Sequence, residues 1–425
     1  MRVGIGILGG GVVGGSLAHK LLDDHDTIEA RTGLDLQLVR VAVRDLTKSR
    51  LFPADYSTDR PEDVVDDPDV GLVVELMGGL EPAGTLVRRA LDAGKPVVTA
   101  NKQLVAAEGP ELFARAAANG VSFLFEAAVG GGIPLIRPLS ESLAAERITS
   151  VLGIVNGTTN FILSEMTERG LPYEEALSEA QRLGYAEADP TADVSGADAA
   201  AKALILAGIA FGVWVDLDGV HSEGIEAIQP VDIEHARRLG YRVKLLAIAD
   251  ATDAGIGVRV HPALVPEHHP LAAVRGAQNA VFVTGPDLGE VLFSGPGAGG
   301  DPTATAVLGD VVTAARELLA DSPVAPRVRI APGDVADFGQ VDTSQYVRLE
   351  VEDAPGVLAA ISSAFGSAGV SIRSVWQEGR GEDATLILVT HGAPESAHAK
   401  ALASLAELPP VTQVGSVIRV VGEPS

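Results

Sequence analysis

Short apolar runs alternate with helical spacings along the first part of the chain. Val3–Leu8 is an apolar run, Val12–Leu22 places apolar residues at helical intervals, and Leu36–Val43 and Gly71–Met77 are β-branched runs. Glu81–Ala93 reads as a helix ending near Gly94, and Lys95–Thr99 and Val121–Phe125 supply further strands. Strands separated by helices of this length predict parallel βαβ units with helices on both faces. The rhythm then changes. Helices are expected around Asn160–Arg169, Tyr173–Leu183, Ser195–Phe211 and Thr303–Leu319, with strands at Val151–Asn156, Tyr241–Ala249, Gly257–Val260, Ala280–Thr284 and Val291–Ser294. The apolar stretch Ala203–Val215 is too short for a bilayer, which needs about 20 residues, and fits a buried helix.

Asp321–Gln340 is rich in Pro, Val, Asp and Gly and has no clean period, so it reads as a linker. Beyond it, Tyr346–Val351 alternates like a strand, Gly356–Ala368 is helical, and Ser371–Trp376 and Ala384–Thr390 are strands. Glu395–Leu405 is a second helix and Val411–Val421 a last strand. The order βαββαβ is the ferredoxin-like arrangement.

Composition narrows the chemistry. The 425 residues include no cysteine, which removes disulfides, thiolate metal sites and any cysteine nucleophile. Acidic residues number 57 against 32 basic ones, for a net charge of −25, so a nucleic-acid partner is not expected. Aromatic residues are only 4%, leaving the core to Ala, Val, Leu and Ile. Neither a secretory leader nor a membrane span is expected, since the glycines after Met1 make a poor apolar helix. The C-terminal Glu-Pro-Ser matches no lipidation or retention signal, and a cytoplasmic protein is expected.

Gly9-Gly10-Gly11-Val12-Val13-Gly14 follows the first strand and opens the first helix, satisfying G-x-G-x-x-G. Gly9 would allow the tight turn, Gly11 the approach of a pyrophosphate, and Gly14 close helix–strand packing. The strand after it ends in Arg44, where a guanidinium suits a 2′-phosphate; Asp45 behind it keeps NAD open beside NADP. Thr99-Ala100-Asn101-Lys102 lies at the carboxyl end of a parallel strand, which aims Lys102 toward the cofactor crevice.

The densest chemistry lies in Glu187, Asp189, Asp193, Asp198 and Lys202. Asp198 and Lys202 stand i, i+4 and share one helix face. Alone, such a pair is an exposed ion pair worth ~0.3–0.5 kcal/mol. Carboxylates gathered before an apolar helix instead suggest a polar site: a lysine held as proton donor, and acids for a substrate ammonium. The histidines show no metal-binding spacing.

The stretch from Ala180 through Gly184-Tyr185-Ala-Glu187-Ala-Asp189-Pro190 to Lys202 resembles the signature motif of the homoserine dehydrogenases. The order of the remaining segments is similar too: GGGVVG, TANK at Thr99–Lys102, EAAVGGGIP at Glu126–Pro134, NGTTN at Asn156–Asn160 and GPGAGGDPTATAV at Gly295–Val307. The C-terminal region, with Asp353-Ala354-Pro355-Gly356-Val357-Leu358, looks like an ACT domain. The resemblance implies an α/β chain of several parts. Residues 1–130 would form a Rossmann NAD(P)-binding domain completed by about 295–320, and residues 131–320 an α+β substrate-binding and oligomerisation domain. A linker over 321–344 and a ferredoxin-like ACT regulatory domain over 345–425 would follow.

The implied reaction is reduction of L-aspartate 4-semialdehyde to L-homoserine with NAD(P)H, in threonine, methionine and isoleucine biosynthesis. Lys202 would be the proton donor, with Lys102 supporting the reacting oxygen and cofactor. Asp198, Glu187 and Asp193 would line the substrate site, with Gly157, Thr158 and Tyr185 nearby. Gly9, Gly11, Val12, Val13, Gly14, Arg44 and Lys102 would meet the cofactor, and Gly184 and Gly299 would close over the nicotinamide. Carbonyls of Glu126, Val129, Gly131 and Ile133 would hold a monovalent cation, usually Na+. L-threonine is the implied effector of the ACT domain, and a homo-oligomer, dimer or tetramer, is implied. Aspartate-semialdehyde dehydrogenase shares the metabolite but requires a cysteine nucleophile, which this chain lacks.

Overall fold

The computed structural model describes residues 2–252, 255–320, 329–331, 335–379 and 384–422. Residues 321–328 and 332–334 of the expected linker, and the C-terminal Glu-Pro-Ser, lie outside the described residues. The chain divides into two compact units: Met1–Thr149 with Leu204–Leu217 and Asn279–Pro332, and Ser150–Ala203 with Asp218–Gln278 and Gly333–Ser425.

The first unit is built on a six-stranded parallel sheet. Its strands, in chain order, are Arg2–Leu8, Asp35–Ala42, Ser57–Thr58, Leu72–Glu75, Val97–Thr99 and Phe123–Leu124. Their spatial order is third, second, first, fourth, fifth, sixth, the doubly wound arrangement with its switch point beside the first strand. The central strands are buried on both faces: Ile5, Ile7, Leu72 and Val74 are all inaccessible to solvent. The late helix Gly300–Leu319 joins this core through Ala304, Val307, Val311 and Ala315, packed with Leu17 and Ala18 of the first helix. Helix Lys102–Ala118, which the apolar pattern does not reveal, is weakly amphipathic and contains Pro110. Its Gly109 is required by packing, because a Cβ there would lie 2.6 Å from the Trp214 ring.

The second unit carries a mixed sheet. Ser150–Ile154, Tyr241–Thr252 and Gly255–Pro266 lie side by side and antiparallel. The sheet then continues through Val411–Val420, Asp342–Val351, Ala384–Thr390 and Ile372–Glu378. Those four strands, with helices Val357–Ser367 and Glu395–Ala406, form the ferredoxin-like module around Val347, Leu349, Ile361, Phe365 and Leu388. Its first strand opens at Asp342 rather than Tyr346, because Asp342 and Thr343 pair with Pro394 and Ala393, a contact that side-chain alternation does not encode.

Two buried polar networks tie this module to the rest of the second unit. Arg348 Nε donates to Asp232 Oδ1 at 2.7 Å, and Tyr346 donates its hydroxyl to the same carboxylate at 3.3 Å. Arg419 bridges Glu395 and Glu223, with 2.7 Å contacts to each.

Candidate active site

In the first unit the glycine turn is dictated by contact. The N–H groups of Gly9 and Gly10 both donate to the Ala42 carbonyl at 3.1 Å. Gly9 has φ 108°, and a Cβ there would sit 2.6 Å from the Leu76 carbonyl oxygen; one at Gly14 would sit 1.9 Å from that of Gly9. A Cβ on Gly11 would meet nothing within 4 Å, so the space over the helix N-terminus is open to a pyrophosphate. Val12 at the first helical position is 76% exposed, while Val13 packs on the core. Gly299, at φ 125°, precedes the helix whose Gly300 is held 3.0 Å (as a Cβ) from Val12 Cγ1. Arg44 is exposed just past the second strand. Asp45 turns its carboxylate onto the N–H and hydroxyl of Thr47, at 2.9 and 2.6 Å.

The segment carrying Lys102 is fixed by a buried relay. Glu75, inaccessible to solvent at the carboxyl end of its strand, accepts from Met77 N, Gly78 N and Thr99 Oγ1. Thr99 Oγ1 in turn accepts from Asn101 N at 2.9 Å. Asn101 caps the following helix through Leu104 N and donates its amide to Gly79 O at 2.6 Å. Lys102, the first residue of that helix, is thereby held at the carboxyl edge of the sheet.

Glu126 is 5% exposed, and its carboxylate is saturated by the successive N–H groups of Leu135, Ile136 and Arg137. Asp310 accepts from Glu126 N at 2.8 Å and from Arg137 at 2.6 Å. Burial pushes the Asp310 carboxyl up to about 7, against the pull of these two donors. The loop between is folded by Gly130 and Gly131, at φ 76° and 57°. Val129, Gly131 and Ile133 are buried, yet among the described residues nothing donates a hydrogen bond to their carbonyls. Buried orphan carbonyls suit a hard cation. No group of three or more His, Asp or Glu side chains able to hold a metal occurs among the described residues.

In the second unit a tight cluster forms around the start of helix Ala197–Phe211, whose residues up to Ala203 belong to that unit. Lys202 Nζ donates to Asp198 Oδ2 and to Val155 O, both at 2.7 Å. The two side chains are only 12% and 8% exposed, so this is not a solvated surface pair. Two of the three ammonium hydrogens are thus committed, which fixes the direction of the third. Asp193 joins through Asn156, whose amide donates to Asp193 Oδ1 at 2.7 Å and Asp198 Oδ2 at 2.8 Å. Burial, with the neighbouring Asp198 charge, raises the Asp193 pKa, and the Asn156 hydrogen bond opposes the rise.

Thr158 donates its hydroxyl to the Tyr185 carbonyl at 2.7 Å, and the Tyr185 ring packs on Phe161 with centroids 4.8 Å apart. Gly157 opens the helix that Asn156 caps, and Gly184 has φ 79° before Tyr185. Glu187 is exposed, and among the described residues its carboxylate takes no hydrogen bond. Asn156, Glu75 and Asp310 belong to these clusters without being singled out in the sequence. The signal for Asn156 is its place immediately before a helix, in Asn-Gly-Thr-Thr-Asn.

Comparison with known proteins adds to this geometry. Residues 134–312 match the homoserine dehydrogenase family model, residues 9–126 the homoserine dehydrogenase NAD-binding domain, and residues 345–407 the ACT domain. A homoserine dehydrogenase of Corynebacterium glutamicum is 46% identical over 98% of this chain and 95% of its own length. The chain belongs to the homoserine dehydrogenase family. A Bacillus subtilis homoserine dehydrogenase is 43% identical over 98% of both chains. The crystal structure of a homoserine dehydrogenase from Thiobacillus denitrificans superposes with a TM-score of 0.94 at 44% identity, covering 99% of this chain and 98% of that one. A hyperthermophilic archaeal homoserine dehydrogenase in complex with NADPH covers 75% of this chain and 98% of its own, with a TM-score of 0.63 and 30% identity. The α/β architecture, with its Rossmann-type sheet and ACT module, is that of the family, and the chain is an oxidoreductase of the homoserine dehydrogenase type. Among the described residues no helix is long and apolar enough to cross a membrane.

Proposed function

We propose that the chain reduces L-aspartate 4-semialdehyde to L-homoserine with NADPH, on the pathway to threonine, methionine and isoleucine. The observation that carries this reading is the mostly buried Lys202–Asp198 pair, linked through Asn156 to Asp193. The nicotinamide, when bound, supplies the hydride. Lys202, charged and aimed by Asp198 and Val155 O, donates the proton that the developing alkoxide needs. Asp193 and Asp198, with Glu187, attract the substrate ammonium, while Gly157, Thr158 and Tyr185 shape the site. Lys102, held by the Glu75–Thr99–Asn101 relay, supports the reacting oxygen and the cofactor. Gly184 and Gly299 are the glycines at which the chain closes over the nicotinamide.

NADPH is preferred over NADH in this reading because an exposed guanidinium at Arg44, just past the second strand, suits a 2′-phosphate, and the Asp45 carboxylate is engaged by Thr47. The carbonyls of Glu126, Val129, Gly131 and Ile133 would hold a monovalent cation, Na+. Residues 1–130 with about 295–320 serve the cofactor and 131–320 the substrate and self-association. Residues 345–425 are the regulatory part, responding to L-threonine. The protein works in the cytoplasm as a dimer or tetramer.

The test is Lys202→Ala, assayed by homoserine oxidation and by NADPH fluorescence on binding. Turnover should fall by about 10³-fold or more with NADPH affinity within about twofold of the parent. Near-parental turnover would remove Lys202 as proton donor.

A further inference from the structure

Asn156 is 4% exposed and lies between two carboxylates that would otherwise repel each other. Its two ends have different neighbours. The side-chain oxygen accepts from Thr159 N at 2.9 Å and from Thr159 Oγ1 at 3.0 Å, capping helix Gly157–Arg169. The side-chain nitrogen faces Asp193 and Asp198 and spends one hydrogen on each. A flipped amide would set its oxygen against two carboxylates and its N–H groups against the Thr159 N–H. The network therefore permits one orientation.

We propose that Asn156 is a positioning residue that keeps Asp193 and Asp198 together as two anions beside Lys202, so that this three-residue cluster keeps a net negative charge, beside that of Glu187, for the ammonium group of an amino-acid substrate. The reasoning is a charge count. Asp193, Asp198 and Lys202 sum to −1 when all are ionised. A neutral amide offsets the like-charge repulsion without changing that sum. A lysine or arginine in its place would also hold the acids, but it would cancel the charge that draws the ammonium. A residue without two N–H donors would leave Asp193 to take up a proton, because burial already favours its neutral form. The helix cap adds the geometric half of the role. The same side chain that fixes the first turn carrying Gly157 and Thr158 fixes the two acids, so the substrate-facing groups of three chain segments move as one.

The inference rests on the substrate reading above, and the experiment separates the two. Asn156→Asp and Asn156→Ser both retain a good helix N-cap. Each is purified as the full chain and measured for kcat and KM with homoserine across pH, for NADPH affinity by fluorescence, and for melting temperature. Asn156→Ser should raise the homoserine KM by roughly 10-fold or more, with NADPH affinity close to the parent and a modest fall in melting temperature from the two unpaired acids. Asn156→Asp should add an ionisation to the kcat/KM profile in the neutral range, with activity falling as pH rises through it. There the third carboxyl loses the proton through which it can still donate. Parental KM and pH profile in Asn156→Ser overturn the proposal, and that variant decides alone if Asn156→Asp fails to fold. Losses that track lower NADPH affinity overturn it too, since they report a disturbance beyond the two acids. If the parent chain shows no turnover of homoserine, the substrate reading itself fails. If Lys202→Ala is inactive while both Asn156 variants behave as the parent, only this inference fails.

Discussion

Replacing Arg348 by Met tests how the ACT module is held within the second unit. Arg348 is 6% exposed, and its Nε–H donates to the fully buried Asp232 at 2.7 Å. Its Nη2 donates to Gln229 Oε1 at 2.9 Å, and its Nη1 to Glu350. In Arg348→Met the Asp232 carboxylate keeps only Gln229 N, at 3.1 Å, and the Tyr346 hydroxyl. Removing one partner of a buried pair costs about 3–5 kcal/mol, because a charge stays behind in a dry site. Protonation offers an escape. It costs about 1.4 kcal/mol per pH unit above an ordinary carboxyl pKa near 4, which bounds the loss at about 4 kcal/mol near pH 7. The loss should therefore be about 3–4 kcal/mol near pH 7 and shrink by roughly half near pH 5.5. Adding Asp232→Asn, which keeps an acceptor for Gln229 N, should recover about 2 kcal/mol. Urea unfolding followed by tryptophan fluorescence reads this directly, since Trp376 lies on the module's strand Ile372–Glu378. With a slope of roughly 2 kcal/mol per M, the single variant's midpoint should drop by about 1.5–2 M. A double variant no more stable than the single one, or a loss independent of pH, would refute the buried-charge account.

Arg44→Ala should raise the NADPH KM by roughly 10–100-fold and the NADH KM by less than about twofold, read by steady-state kinetics with both cofactors. Burial lowers the Lys244 pKa to about 8, while its ammonium donates to Asn160 Oδ1 and Val274 O. Between about pH 8 and 10.5 the native state then binds fewer protons than the unfolded one, so this group makes stability rise with pH there. Lys244→Met should flatten that rise in thermal melts, and an unchanged slope would count against a buried ammonium. Glu75→Gln presents an N–H group to Thr99 Oγ1 in place of an acceptor. It should cost about 1–3 kcal/mol in urea unfolding, and a cost near zero would dismiss the relay that holds Lys102.

What could be read from the sequence follows from how local each signal is. The glycine turn was readable because its constraint repeats over six positions, and the structure gives Gly9 and Gly14 the contacts that exclude a Cβ. Asp198 and Lys202 were readable because i, i+4 spacing is a helix property. Asp193 is joined to them only through Asn156, across chain segments that no local pattern connects. Glu187, close to them in sequence, is exposed, and the Asn156 amide spends its two hydrogens on Asp193 and Asp198. Asp232 and Arg348 are out of reach of any such reading, because charges far apart in sequence look like ordinary surface residues until the fold buries them. Helix Lys102–Ala118 was obscured by Pro110 and by a glycine whose reason is the Trp214 ring.

The register between Gly255–Pro266 and Val411–Val420 has a practical consequence. Ala263 and Leu264 pair in parallel with Arg419 and Val420, so the last strand of the ACT module is also an inner strand of the larger sheet. A chain cut in the linker would not release an independent regulatory cap. It would bare the backbone donors and acceptors around Ala263 and Leu264 on a hydrophobic strand, and such an open edge recruits other chains. It would also strand the buried Asp232. Aggregation of a truncated enzyme would then be easily mistaken for a loss of regulation or of catalysis. Point substitutions that leave the sheet whole are the sound way to separate sensing from structure.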